Sequence, residues 1–265
     1  MIYHAIVGAD GTERVGRERA PRPVAKGLRL CPGAEKAHPM DLRADQVTKR
    51  FGPVTALDRV SLAVEAGDSV AIHGPNGSGK TTLLRVLAGL SRPSEGTVTV
   101  GGTDRYSHEG RRAHSLGYLS HASMLYDDLT AAENLRFHAR LHDVEMSRVT
   151  DLLETVDLFD RADGFPREFS HGMRKRLSLA RALLADPDVL LLDEPFTGLD
   201  QHSREMLEGL IEDRTVVLVT HAPELSTALC NRFVVLDRGQ VVARIDERIS
   251  TPAAFRERYR AVLSP

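Results

Sequence analysis

Cysteine is nearly absent from this chain. Cys31 and Cys230 are far apart and belong to no pairing pattern. This argues against a disulfide framework or a zinc site and fits a reducing compartment. Long hydrophobic runs are missing too: the longest span four residues, as at Val189–Leu192 and Val216–Val219. About 20 apolar residues are needed to cross a bilayer, so no span is expected. The start lacks the apolar h-region of a signal peptide. Neither sign of charge dominates, with 35 basic against 37 acidic residues and a net charge of -2. Bulk electrostatics therefore suggests no nucleic-acid partner. The expected location is the cytoplasm, or the cytosolic face of a membrane reached through a partner. The 265 residues suffice for one or two domains with a sizeable core.

Glycine, by contrast, is concentrated where chemistry needs it. Residues 74–81 read Gly74-Pro75-Asn76-Gly77-Ser78-Gly79-Lys80-Thr81, which fits Gly-x-x-x-x-Gly-Lys-[Ser/Thr] at every fixed position. A triphosphate needs several backbone N–H donors at close range, and glycines let a loop approach it. Lys80 is placed to reach the β- and γ-phosphates, and Thr81 to offer a hydroxyl to Mg²⁺. An apolar strand, Ser69–His73, precedes the loop. A helical pattern from Thr82 to Leu90 follows, so its free N–H groups and dipole face the phosphates.

The rest of the chain falls into blocks. Residues 1–39 carry four prolines and five glycines without an apolar period and read as a disordered extension. Met40-Asp41-Leu42 reads as a domain start, which leaves two readings of the extension: a translation start placed too early, or a regulatory or docking tail. Leu42–Thr48, Val60–Val64, Thr97–Val100 and Leu116–Leu119 read as strands, and 103–114 as a surface loop. Helical spacing over 131–142, 147–156 and 173–185 marks an inserted helical subdomain at about 120–185. Strands at 189–192, 216–220 and 233–236, with helices from Gln201 and Pro223, restore α/β alternation and predict a parallel sheet. The nucleotide-binding domain is expected over 40–246, with a short C-terminal segment at 247–265.

Val189–Leu192 ends in Asp193 and Glu194. A fully buried parallel strand reads as a continuous apolar run, and ligands bind at the carboxyl ends of such strands. Asp193 is placed to bind Mg²⁺, and Glu194 to act as general base toward water. Phe169-Ser170-His171-Gly172-Met173 opens a helix, where Ser170 has a plain reading as an N-cap. His221 follows a strand, within reach of a γ-phosphate or simply structural.

In this order the motifs resemble an ATP-binding cassette (ABC) ATPase over about residues 41–245. The resemblance implies an α/β P-loop NTPase fold: a RecA-like parallel-sheet core with an antiparallel β subdomain and an inserted helical subdomain. It implies that Phe51 stacks on adenine, that residues 74–82 including Thr82 bind ATP, and that Ser170 and Gly172 cap the ATP of a second subunit. It makes Asp200 part of the D-loop and His221 the switch histidine. His121 stands where the family has its Q-loop glutamine, and His171 and Met173 depart from the usual signature. The implied assembly is a head-to-tail homodimer with two ATP–Mg²⁺, working on separate integral membrane subunits. The stretches Tyr118–His121 and Leu129–Phe137 are similar to haem exporter subunits of cytochrome c maturation, the CcmA type. Haem export is therefore the expected task, with another ABC-2 type export cargo as the alternative. A soluble ABC ATPase, a P-loop kinase or GTPase, and a non-catalytic nucleotide-binding regulator are the rival classes.

Overall fold

A computed structural model describes residues 40–112, 116–211 and 214–263. The extension at 1–39 lies outside them. Ten strands and eight α-helices follow one another as β1 (Leu42–Phe51), β2 (Val54–Val64), β3 (Ser69–His73), α1 (Lys80–Leu87), β4 (Glu95–Val100), β5 (Thr103–Asp104), α2 (His108–Arg112), β6 (Leu116–Leu119), α3 (Ala131–Leu141), α4 (Ser147–Thr155), α5 (His171–Leu183), β7 (Val189–Asp193), α6 (Gln201–Ile211), β8 (Thr215–Val219), α7 (Pro223–Leu229), β9 (Arg232–Asp237), β10 (Gln240–Ile245) and α8 (Pro252–Leu263).

Two sheets result. The larger has the order β10-β9-β3-β8-β7-β6, parallel throughout except for the antiparallel β10. The smaller is antiparallel, in the order β2-β1-β4-β5. Every residue of β7 and β8 is buried, as expected of strands covered on both faces. Side chains alternate across a strand, and the core divides accordingly. Leu190, Leu192 and Leu218 face a cluster shared with α3, α4, α5 and α6. Val189, Leu191, Val217 and Val219 face the other side, against Leu83, Leu84, Val86 and Leu87 of α1 and the inner face of the small sheet. The fold expected from the sequence is thus the fold observed.

Several element bounds need correction. The stretch read as a surface loop from 103 contains β5 and α2; Arg105 ties it down by donating to the carbonyl of Ala88 at 3.1 Å. β2 begins at Val54 rather than Val60, because its first half pairs with β1 around the Gly52–Pro53 turn. The strand β10 was not foreseen; its pattern alternates between exposed and half-buried and carries little apolar signal. The C-terminal segment is a helix, α8, docked through the buried Phe255.

Candidate functional site

Strand order brings the chemistry-bearing residues to one edge. The parallel strands β3, β8, β7 and β6 are neighbours in that order. Their carboxyl ends therefore deliver four segments side by side: the glycine loop after His73, Thr220-His221 after Val219, Asp193-Glu194, and Ser120-His121 after Leu119. A cleft of about 410 Å³ lies there, lined by Ala56, Asn76, Gly77, Gly79, Lys80, Thr81, Thr82, His121, Asp193, Glu194, Val219 and His221.

The loop owes its shape to contacts that leave no room for side chains. At Gly79 (φ +103) an added Cβ would lie 2.6 Å from the carbonyl oxygen of Ala56 and 2.9 Å from Leu57. At Gly74 it would lie 2.0 Å from the carbonyl oxygen of Leu236. The Gly239 N–H donates to the Ser78 carbonyl at 3.0 Å, so the β9–β10 turn braces the loop from behind. α1 then opens at Lys80, directing its first N–H groups at the cleft.

Lys80 is buried and donates to the carbonyls of Gly74 and Pro75, both at 2.8 Å. Burial lowers its pKa from the ordinary lysine value, and the nearby Glu194 and Asp193 carboxylates pull it back up. Asp193 is 2 % exposed and its Oδ2 has no hydrogen-bond partner. Glu194 takes the left-handed conformation, φ +49, with its N–H donating to the Val219 carbonyl at 2.9 Å. Its Oε2 accepts from the Thr197 hydroxyl at 3.4 Å, and its Oε1 lies buried without a partner, 3.8 Å from His221 Nε2.

These donors fit a hard cation. Thr81 and Asp193 supply oxygens, and Mg²⁺ is held through one or two protein ligands plus phosphate oxygens and water. Among the described residues no three His, Cys, Asp or Glu side chains gather into a protein-only metal site.

Other sequence candidates lie outside the cleft. Phe51 ends β1, about half exposed, with Lys49 Nζ 4.9 Å from its ring centroid. Gly74, Pro75 and Ser78 belong to the loop but do not line the cleft, and Ser78 is buried behind it. Ser170 is the N-cap of α5, its hydroxyl accepting from the Met173 N–H at 3.2 Å. Gly172 lies in the first turn of that helix, and Asp200 caps α6 by accepting from the Ser203 N–H at 2.8 Å. Sequence reasoning passed over Lys175, a buried lysine of α5 whose ammonium donates to the Glu194 carbonyl at 3.0 Å. Its signal was present: Lys175, Leu179 and Ala182 share the buried face of one helix.

Residues 57–197 match the family model described as "ABC transporter". The chain is 38% identical over 233 residues to the "Sulfate/thiosulfate import ATP-binding protein CysA" of Rhodopseudomonas palustris, covering 83% of this chain and 65% of that protein. It is 37% identical to the protein of the same name from Bradyrhizobium diazoefficiens, covering 80% and 64%. The chain thus spans slightly under two thirds of the length of these relatives. A shorter relative, "Probable sulfate/thiosulfate import ATP-binding protein CysA" of Chlorella vulgaris, is 36% identical and covered to 90%. Among solved structures, "Structure of ATP binding subunit of ABC transporter" superposes with a TM-score of 0.72 at 27% identity, covering 84% of this chain and 95% of that one. A dimeric post-hydrolysis state of an ATP-binding cassette bound to ADP and Pi gives 0.70 at 28% identity, covering 77% and 97%.

The import named for these relatives overturns the expectation of haem export, and of export of any other cargo. The structure shows why the stretch 129–137 misled. Thr130 and Glu133 form a reciprocal capping box at the start of α3. The Asn134 amide donates to the carbonyls of Tyr126, Leu129 and Thr130, and its oxygen accepts from the Tyr126 N–H. Leu-Thr-x-x-Glu-Asn here folds a loop onto a helix start, a task independent of cargo.

Proposed function

Because this chain belongs to the ABC transporter family, we propose that it is the ATP-hydrolysing subunit that powers solute import through separate membrane subunits. The observation that carries this reading is the single cleft joining Lys80, Thr81, Asp193, Glu194 and His221 at the carboxyl ends of β3, β7 and β8.

In this reading the glycine loop and Lys80 hold the phosphates of ATP, and Phe51 stacks on the adenine. Thr81 and Asp193 hold Mg²⁺, which neutralises phosphate charge when bound. Glu194 orients a water and takes its proton. His221, beside Glu194 Oε1, and His121, across the cleft, respond to the γ-phosphate. Ser170 and Gly172 are not among the residues that line this cleft; in this reading they complete the cleft of a second copy, and one solved relative is dimeric.

No helix among the described residues is long and apolar enough to cross a membrane. Transport then requires membrane subunits, with this chain on the cytosolic face. The exposed side chains of Met124 and Tyr126 in the loop before α3, and of Phe137 and Leu141 in its second half, offer apolar surface for docking. The cargo reading rests on the relatives' names, which point to sulfate or thiosulfate. Uptake of labelled sulfate in cells lacking the gene tests it: uptake should fall and return with the wild-type gene but not with Lys80→Ala. Uptake that does not change on deletion would remove the sulfate reading.

A further inference from the structure

Lys175 occupies a position where an apolar residue would pack more cheaply. It lies on the buried face of α5, and burial depresses its pKa while Asp193 and Glu194 raise it. Burying an ammonium is costly unless it is paired and hydrogen-bonded. Its ammonium donates to the main-chain carbonyl of Glu194 at 3.0 Å. That residue is a non-glycine in the left-handed region, a conformation held only when its surroundings impose it. Three bonds fix the Glu194 backbone: its N–H donates to the Val219 carbonyl on the β8 side, and its carbonyl accepts from Lys175 on the α5 side at 3.0 Å and, more weakly, from the Thr197 N–H at 3.4 Å.

A second contact joins the same two segments. His171, in the first turn of α5, lies against Gly198 in the loop following Glu194. A Cβ at Gly198 would come within 2.5 Å of the imidazole. α5 therefore grips the 194–198 loop at two points.

We infer that Lys175 is a positioning residue that holds Glu194 in its working conformation and so ties the helix bearing Ser170 and Gly172 to the general base of its own cleft. This rests on Glu194 being the base. Movement of the α5 N-terminus against a second copy would then be felt at Glu194 through Lys175 and His171.

The test uses the full chain with Lys175→Met, Lys175→Gln, Glu194→Gln and the double variant Lys175→Met/Glu194→Gln. Steady-state hydrolysis, ATP binding by titration and thermal melting are measured. Lys175→Met should lower kcat on the order of tenfold or more, leave KM and the ATP dissociation constant within about twofold, and not lower the melting temperature. Lys175→Gln, which keeps an N–H donor, should recover most of the loss. The double variant should turn over no more slowly than Glu194→Gln alone. A wild-type kcat for Lys175→Met, a parallel loss of ATP affinity or of folding, failure of Gln to rescue, or a further loss in the double variant would each overturn the assignment. The two readings fail differently. Wild-type turnover by Glu194→Gln would remove Glu194 as the base. An inactive Glu194→Gln beside an active Lys175→Met would leave the base in place and remove only the positioning role.

Discussion

The imidazole of His73 packs against the ring of Phe255, their centroids 4.4 Å apart. His73 immediately precedes the glycine loop, and Phe255 belongs to the C-terminal helix α8. Phe255 also meets Phe233 at 5.2 Å and stacks on Tyr259 at 5.8 Å. The last helix is thereby fastened to the strand that carries the phosphate loop.

Phe255→Ala should accordingly destabilise the protein by about 3–5 kcal/mol, the usual cost of emptying a buried phenylalanine site. For a chain of this size that lowers the melting temperature by roughly 10 °C. Thermal melts followed by circular dichroism check it. A shift of only a degree or two would mean that α8 is not part of the folded core.

Acid should destabilise the protein through His73. Burial, reinforced by the neighbouring His221 and Lys80, lowers the His73 pKa from 6.5 to about 4. The unfolded chain then binds the proton that the folded chain refuses between those two values. Stability is full above about pH 6.5 and declines as pH falls toward 4, by an amount on the order of 3 kcal/mol. His138, lowered to about 4 chiefly by burial, pushes the same way. Melting temperatures across pH 4–7 should fall on the acid side, and His73→Gln should flatten that fall. An unchanged slope in His73→Gln would contradict the assignment to His73.

Gly79→Ala should damage nucleotide binding with the fold intact. The new methyl would press on the Ala56 carbonyl and on Leu57 at a left-handed position. Backbone strain of that kind weakens binding roughly ten- to hundredfold. Titration with ATP, with circular dichroism as the control for folding, measures it. Wild-type affinity would mean that the loop does not bind in the conformation seen here.

How much of this was legible beforehand follows from physical scale. The strand β7 and the loop at 74–81 announce themselves, since burial on both faces and tight backbone approach each demand particular residue types within a few positions. The antiparallel sheet was only partly legible, because the first half of β2 is mostly exposed or half-buried, and the same holds for β10 at the edge of the larger sheet. Lys175 was invisible in role, because its partner is a carbonyl 19 residues away and nothing in a sequence marks a carbonyl. The 129–137 stretch was legible as a helix start and misread as a sign of cargo, since capping chemistry looks the same whatever is transported.

The most direct measurement is steady-state ATP hydrolysis by the wild-type chain and by Glu194→Gln, with light scattering in ATP to follow association. The account predicts that the wild type hydrolyses ATP, and that Glu194→Gln binds ATP, forms a stable dimer and turns over at least about a hundredfold more slowly. Turnover by Glu194→Gln equal to that of the wild type would contradict it.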